Sequence, residues 1–159
     1  MVLVKAKRDE ILGPLSAVSG IIERRHTLPI LSNVLIERAA DALCFVATDI
    51  EIQITAKSGL AASAEARSLT VGARKLLDIL RALPENAEVS LQQQDKRLVV
   101  KAGKSRFTLQ TLPAEDFPRL ARPAAEAARF SMPQKALRRL LGLVQYAMAQ
   151  RHCRHYLNG

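Results

Sequence analysis

The chain has 159 residues, 48% hydrophobic and 4% aromatic with no tryptophan, and a formal charge of +9 from 24 Lys+Arg against 15 Asp+Glu. That length accommodates one domain of ordinary size and a remainder. No apolar run approaches the roughly 18 residues a membrane span needs, and MVLVKAKRDE lacks the apolar core of a secretory signal, so a cytoplasmic protein without membrane attachment is expected.

The positive charge is unevenly distributed. Residues 127–159 hold Arg129, Lys135, Arg138, Arg139, Arg151 and Arg154 and no acidic side chain. Such a segment repels itself, and its natural complement is a polyanion. Nucleic acid fits first and an acidic membrane second. The scarcity of aromatic rings argues against single-stranded bases, which need stacking platforms, and leaves the duplex backbone. Cys44 and Cys153 are far apart and in no metal-like spacing, so no disulfide is expected.

In chain order, Val2–Ala6 reads as extended and leads into a helix over Arg8–Ser19, with Ile11, Leu15 and Val18 on its apolar face and Pro14 as an interruption. Short strands are expected at Val34–Glu37, Leu43–Ala47 and Glu51–Ala56, the last because Ile50, Ile52 and Ile54 alternate with polar residues. The cycle restarts with Leu69–Val71 and a helix from Ala73 to Leu83. Leu76, Leu77, Leu80 and Leu83 form its buried stripe, and Arg74, Lys75, Asp78 and Arg81 lie opposite. Strands follow near Glu88–Gln92, Arg97–Lys101 and Arg106–Thr111.

The proline-rich stretch Pro113–Pro123 closes the first domain, giving residues 1–120, a linker at 121–127 and the start of a second domain at 128–159. Ala128–Met132 is strand-like, and Pro133 suits the first turn of a helix running to about Ala149, with Leu137, Leu140, Leu141 and Val144 inward. The apolar positions Ile11, Leu15 and Val18 recur at a constant offset as Leu137, Leu141 and Val144, as an internal repeat would give.

Catalytic patterns are missing. Asp49 and Glu51 share a strand face without a partner, and Gly103-Lys104-Ser105 joins two strands, unlike a phosphate loop, which opens a helix. His152, Cys153 and His155 are adjacent without a fourth ligand, so neither metal nor other cofactor is expected.

TLPILSNVLIE (Thr27–Glu37), ATDIEIQI (Ala47–Ile54), ARKLLDILRALP (Ala73–Pro84), SRFTLQTLPAEDFPRL (Ser105–Leu120) and RHYLNG (Arg154–Gly159) together resemble the bacterial sliding clamp, the β subunit of DNA polymerase III. The resemblance implies an α+β clamp fold in which two helices pack on two antiparallel four-stranded sheets per domain. It also implies three domains per full-length chain, two chains joined head to tail, and here one domain plus the first strand and helix of the next. The implied role is a non-catalytic processivity factor that encircles duplex DNA, although such subunits are often classed with their polymerase's nucleotidyltransferase activity.

By the same resemblance, duplex contacts fall to Arg24, Arg25, Arg74, Arg81, Arg138, Arg151, His155 and Tyr156. Arg154 and Leu157 match one wall of a cleft that receives peptides of the replicative polymerase and clamp loader. Lys75, Ile79, Lys104, Arg106, Phe107 and Leu109 match the subunit interface of the homodimer. The family's Asp-hydrophobe-Arg-Tyr-Tyr run is replaced here by His152-Cys153-Arg154-His155-Tyr156. Without the resemblance, Arg24, Arg25, Arg138 and Arg139 also read as solvated charges, and Phe107 and Leu109 as ordinary core. A free-standing basic duplex-binding module and a non-functional truncated product are the alternatives.

Overall fold

The computed structural model describes residues 2–22, 28–38, 42–60, 67–120 and 130–148. The chain divides into two compact units, Met1–Ala121 and Arg122–Gly159.

In the first unit, β1 (Val2–Lys7), α1 (Arg8–Ser19), β2 (Asn33–Arg38), β3 (Leu43–Thr48) and β4 (Gln53–Ser58) are followed by β5 (Arg67–Gly72), α2 (Ala73–Ala82), β6 (Glu88–Gln94), β7 (Arg97–Ala102) and β8 (Ser105–Leu112). Each half thus runs strand, helix and three strands. The halves exchange their first strands. β1 pairs with β6, and β5 with β2, giving the two antiparallel four-stranded sheets β1-β6-β7-β8 and β5-β2-β3-β4. They merge at one seam, where the end of β8 leaves β7 and pairs through Thr111 and Leu112 with Val71 and Thr70.

One core holds both halves. Ile11, Leu15 and Val18 of α1 and Ala73, Leu76 and Leu80 of α2 are fully buried against the inward strand residues, among them Val34, Phe45, Leu91 and Val100. The opposite face of β2 and β3 has its own small cluster, Leu35 and Val46 under Phe117. Phe117 arrives on a segment that Arg119 ties to Glu37 at 2.6 Å and that the Leu120 N–H ties to Gln53 Oε1 at 3.1 Å.

Pro14 does not break α1, which runs through it. A proline in a helix interior costs on the order of 3 kcal/mol, and burial of Ile11, Leu15 and Val18 at about 1.5–3 kcal/mol each outweighs it. At the helix start, Glu10 Oε2 accepts the Lys7 N–H at 2.8 Å, and Asp9 and Glu10 place negative charge at the positive end of the helix.

The strand expected from Glu51 starts later, at Gln53. Asp49 Oδ1 accepts the N–H groups of both Glu51 and Ile52, at 3.0 and 2.7 Å, and the Thr48 hydroxyl donates to the Ile52 carbonyl at 2.7 Å. These side chains build a turn, and Ile50 sits in it at φ +83 with Ile50 and Ile52 largely exposed. The isoleucine alternation ran from strand into turn, where hydrogen bonding by Asp49 overrode it. Gly103 and Lys104 form the two-residue link between β7 and β8, with Gly103 at φ +54.

In the second unit, Phe130–Met132 forms no strand, so the strand expected over Ala128–Met132 is absent from its described part. A strand forms only where a neighbour takes its backbone groups, and no β-strand occurs among the described residues of this unit. The helix α3 covers Gln134–Val144, followed by a 3-10 turn at Gln145–Ala147. Leu137, Leu140, Leu141 and Val144, expected inward, are 44–59% exposed. The spacing gives the amphipathic stripe but not the surface that would cover it.

Candidate nucleic-acid interface

α2 owes its two faces to its sequence. Ala73, Leu76, Leu77 and Leu80 recur at three- and four-residue steps and turn into the core, leaving Arg74, Lys75, Asp78 and Arg81 exposed. Arg74 and Arg81 are seven residues apart, which puts them on one side of the helix about 10 Å apart along its axis. Among the described residues neither guanidinium makes a hydrogen bond or ion pair, so both keep their full donor sets for an external partner. Asp78 stands between them.

Two hollows border this face. One, of about 290 Å³, lies between the end of α1 and the exposed side of α2, lined by Ser19, Ile22, Arg74, Leu77, Asp78 and Arg81. The other, of about 440 Å³, lies between Pro29–Asn33, the start of α2 and β8, with Arg74, Lys75, Thr108 and Gln110 on its walls. Arg74 lines both. Arg74 and Arg81 together border only the smaller, more polar hollow, and guanidinium groups at such a rim can take phosphate oxygens through fixed N–H forks.

The remaining expected positions separate into groups. Arg138 is exposed on α3 beside Lys135 and Arg139. Arg24, Arg25, Arg151, Arg154, His155, Tyr156 and Leu157 lie outside the described residues, as does the His152-Cys153-His155 group weighed for a metal. Among the described residues no group of His, Cys, Asp and Glu is arranged to hold a metal ion, and no helix is long and apolar enough to cross a membrane.

The six interface candidates cluster along β8 and α2. Leu109 is buried and Phe107 packs partly buried on the same core, while Lys75, Lys104 and Arg106 are exposed around them. The backbone of β8 explains the exposure. The Thr111 N–H donates to the Lys96 carbonyl at 3.1 Å, so alternate residues up the strand, Leu109 and Phe107, also bond toward β7. The N–H and C=O groups of Arg106 and Thr108 therefore point away from β7, along an edge that no strand covers among the described residues.

Arg8 escaped notice in the sequence, where it is only the residue that opens α1. Its guanidinium reaches the other end of α2, with Nε donating to the Leu80 carbonyl at 2.7 Å and Nη2 to the Arg81 carbonyl at 3.4 Å. No local signal announces a partner more than seventy residues away.

Residues 3–121 match the family model described as DNA polymerase III beta subunit, N-terminal domain. The chain is 44% identical over 153 residues to the beta sliding clamp of Pseudomonas aeruginosa and 43% identical over the same length to that of Escherichia coli. Each alignment takes in 96% of this chain but only 41% and 42% of the relative, so the chain spans less than half the length of these relatives. Among solved structures, the DNA polymerase III subunit beta of P. aeruginosa superposes with a TM-score of 0.90 at 43% identity, over 100% of this chain and 43% of that one. The Caulobacter crescentus pol III beta gives 0.90 at 39% identity, over 100% and 42%. The exchanged first strands, the paired helices and these likenesses agree, and the chain belongs to the DNA polymerase III beta-subunit family of sliding clamps.

Proposed function

We propose that this chain supplies part of a ring that encloses duplex DNA and tethers the replicative polymerase, without performing a catalytic step of its own. A tether that slides needs contacts that are numerous, weak, positive and indifferent to sequence. Lys and Arg on phosphate meet that requirement, because they carry no base information and are softened by salt. The observation that carries the reading is the exposed pair Arg74 and Arg81 on α2, two turns apart and with no intramolecular partner among the described residues. Arg138 on α3 extends the same chemistry, and Arg24, Arg25, Arg151, His155 and Tyr156 complete the proposed duplex contacts.

Residues 1–120 act in this reading as one clamp domain, 121–127 as a linker and 128–159 as the start of the next. The free edge of β8, with Phe107 and Leu109 behind it and Lys75, Ile79, Lys104 and Arg106 around it, is the proposed joint with a second clamp chain. The excess of cations there suits an acidic partner surface. Arg154 and Leu157 contribute to the cleft for polymerase and clamp-loader peptides. The setting is the cytoplasm, where the chromosome is copied.

The test is topological. Joined to the further length its relatives carry, the protein should remain on closed circular duplex and run off the ends of a linearised copy. Equal loss from both would rule out encirclement.

A further inference from the structure

α1 and α2 lie side by side in opposite directions. Arg8 at the start of α1 reaches the carbonyls that end α2, while Ser19 at the end of α1 lines a hollow with Arg74 at the start of α2. Both helices therefore bring an arginine from their first turn to the other's far end, yet the two arginines are used differently. Arg74 is exposed and unpaired among the described residues. Arg8 is only 14% exposed and holds the Leu80 and Arg81 carbonyls, with Nη1 on Asp9 Oδ1 at 2.9 Å.

The last carbonyls of a helix have no partner further along it, and a helix end held only by its own turn frays. In α2 that end carries Arg81, the one basic residue of its last turn. The Leu80 carbonyl also accepts the Leu83 N–H at 3.3 Å, and the planar fork of Arg8 adds a shorter bond to it and a longer one to the Arg81 carbonyl, which fixes the turn's orientation. We propose that Arg8 is a positioning residue for duplex binding: by clasping the Leu80 and Arg81 carbonyls it holds the last turn of α2 so that the Arg81 guanidinium faces phosphate. The inference rests on the reading of the exposed face of α2 given above, and it assigns Arg8 no contact with DNA.

The test uses Arg8→Lys, which keeps the charge but replaces the planar fork with a point-like ammonium that cannot fix the direction of two successive carbonyls. In the full chain at low salt, fluorescence anisotropy on a labelled duplex is expected to show about threefold to tenfold weaker binding for R8K, and no further weakening when R8K is added to Arg81→Ala. The salt slope of R8K should fall between that of the parent and that of R81A, since the Arg81 contact with phosphate is weakened and Arg8 itself makes none. Amide hydrogen exchange, measured without DNA, should quicken at residues 81–83 of R8K and stay unchanged in α1.

Equal weakening by R8K with and without R81A would overturn the inference, because Arg8 would then act independently of Arg81. Unchanged exchange at 81–83 would overturn it too, and would do so whether or not the chain binds DNA. Parent-like affinity in R81A combined with quickened exchange in R8K would uphold the clasp but remove its link to DNA, locating the failure in the proposed function.

Discussion

The Thr70 hydroxyl donates to the Leu112 carbonyl at 3.0 Å and accepts the Asn33 side-chain amide at 3.1 Å. Thr70 is fully buried and lies at the seam where the two sheets join through only two residue pairs. A single hydroxyl thus ties β8, β5 and β2 together at the place where the backbone ladder is shortest. Thr70→Val keeps the shape but takes this partner from the partly buried Leu112 carbonyl and Asn33 amide, at a cost of about 1 kcal/mol. Urea denaturation should show a lower midpoint with an unchanged m-value. A loss of no more than a few tenths would mean that the seam holds without this bond.

The outer cluster should prove worth more than the ion pair beside it. Phe117 is 4% exposed over Leu35 and Val46, so Phe117→Ala is expected to cost about 3 kcal/mol. The Arg119–Glu37 pair has side chains 52% and 30% exposed, and a double-mutant cycle on it should give no more than about 1 kcal/mol, declining with salt. Reversed magnitudes would mean that charge, not the phenyl ring, fastens this segment to the sheet.

Ile50 at φ +83 is in a region that β-branched residues rarely enter, and at 49% exposure its side chain has little burial to offset the strain. Asparagine tolerates that backbone and leaves the unfolded chain no freer. Ile50→Asn should therefore raise stability by about 0.5–1 kcal/mol, and Ile50→Gly by less because glycine gains freedom on unfolding. A destabilised Asn variant would show that the isoleucine packs more strongly than its exposure implies.

Duplex affinity should respond to the guanidinium groups of α2 one by one. Arg74→Ala and Arg81→Ala are each expected to lower affinity on any sequence alike and to reduce the slope of log K against log salt by about 0.9. The exposed positions leave stability within about 0.5 kcal/mol of the parent. Anisotropy titrations at three or more salt concentrations measure both quantities. A change that depended on sequence would point to base contact in place of phosphate contact.

Much of this was legible along the chain. The stripes Ile11–Leu15–Val18 and Leu76–Leu80 mark both helices, since the helical period sets these residues on one side, where all are buried. The basic face of α2 is the remainder of the same pattern. The start of β4 was misread because Ile50 and Ile52 continue the strand period, while Asp49 Oδ1 takes two backbone N–H groups and turns the chain before it. The α3 stripe was read correctly as a pattern and wrongly as buried, because burial depends on a second surface.

What the sequence by itself determined is local: which residues form helices, which alternate as strands, where Gly103 must turn, and on which side of α2 the charges fall. Tertiary structure alone decided which strands meet. β1 leaves its own half for β6, β5 joins β2, and β8 passes from β7 to β5 at Thr111, all through backbone groups that every residue carries alike. It decided also that Arg8 is spent inside the molecule while Arg74 has no hydrogen-bond or ion-pair partner among the described residues. Two arginines with the same charge in the first turn of a helix differ in whether acceptors lie within reach, and that is a fact of packing.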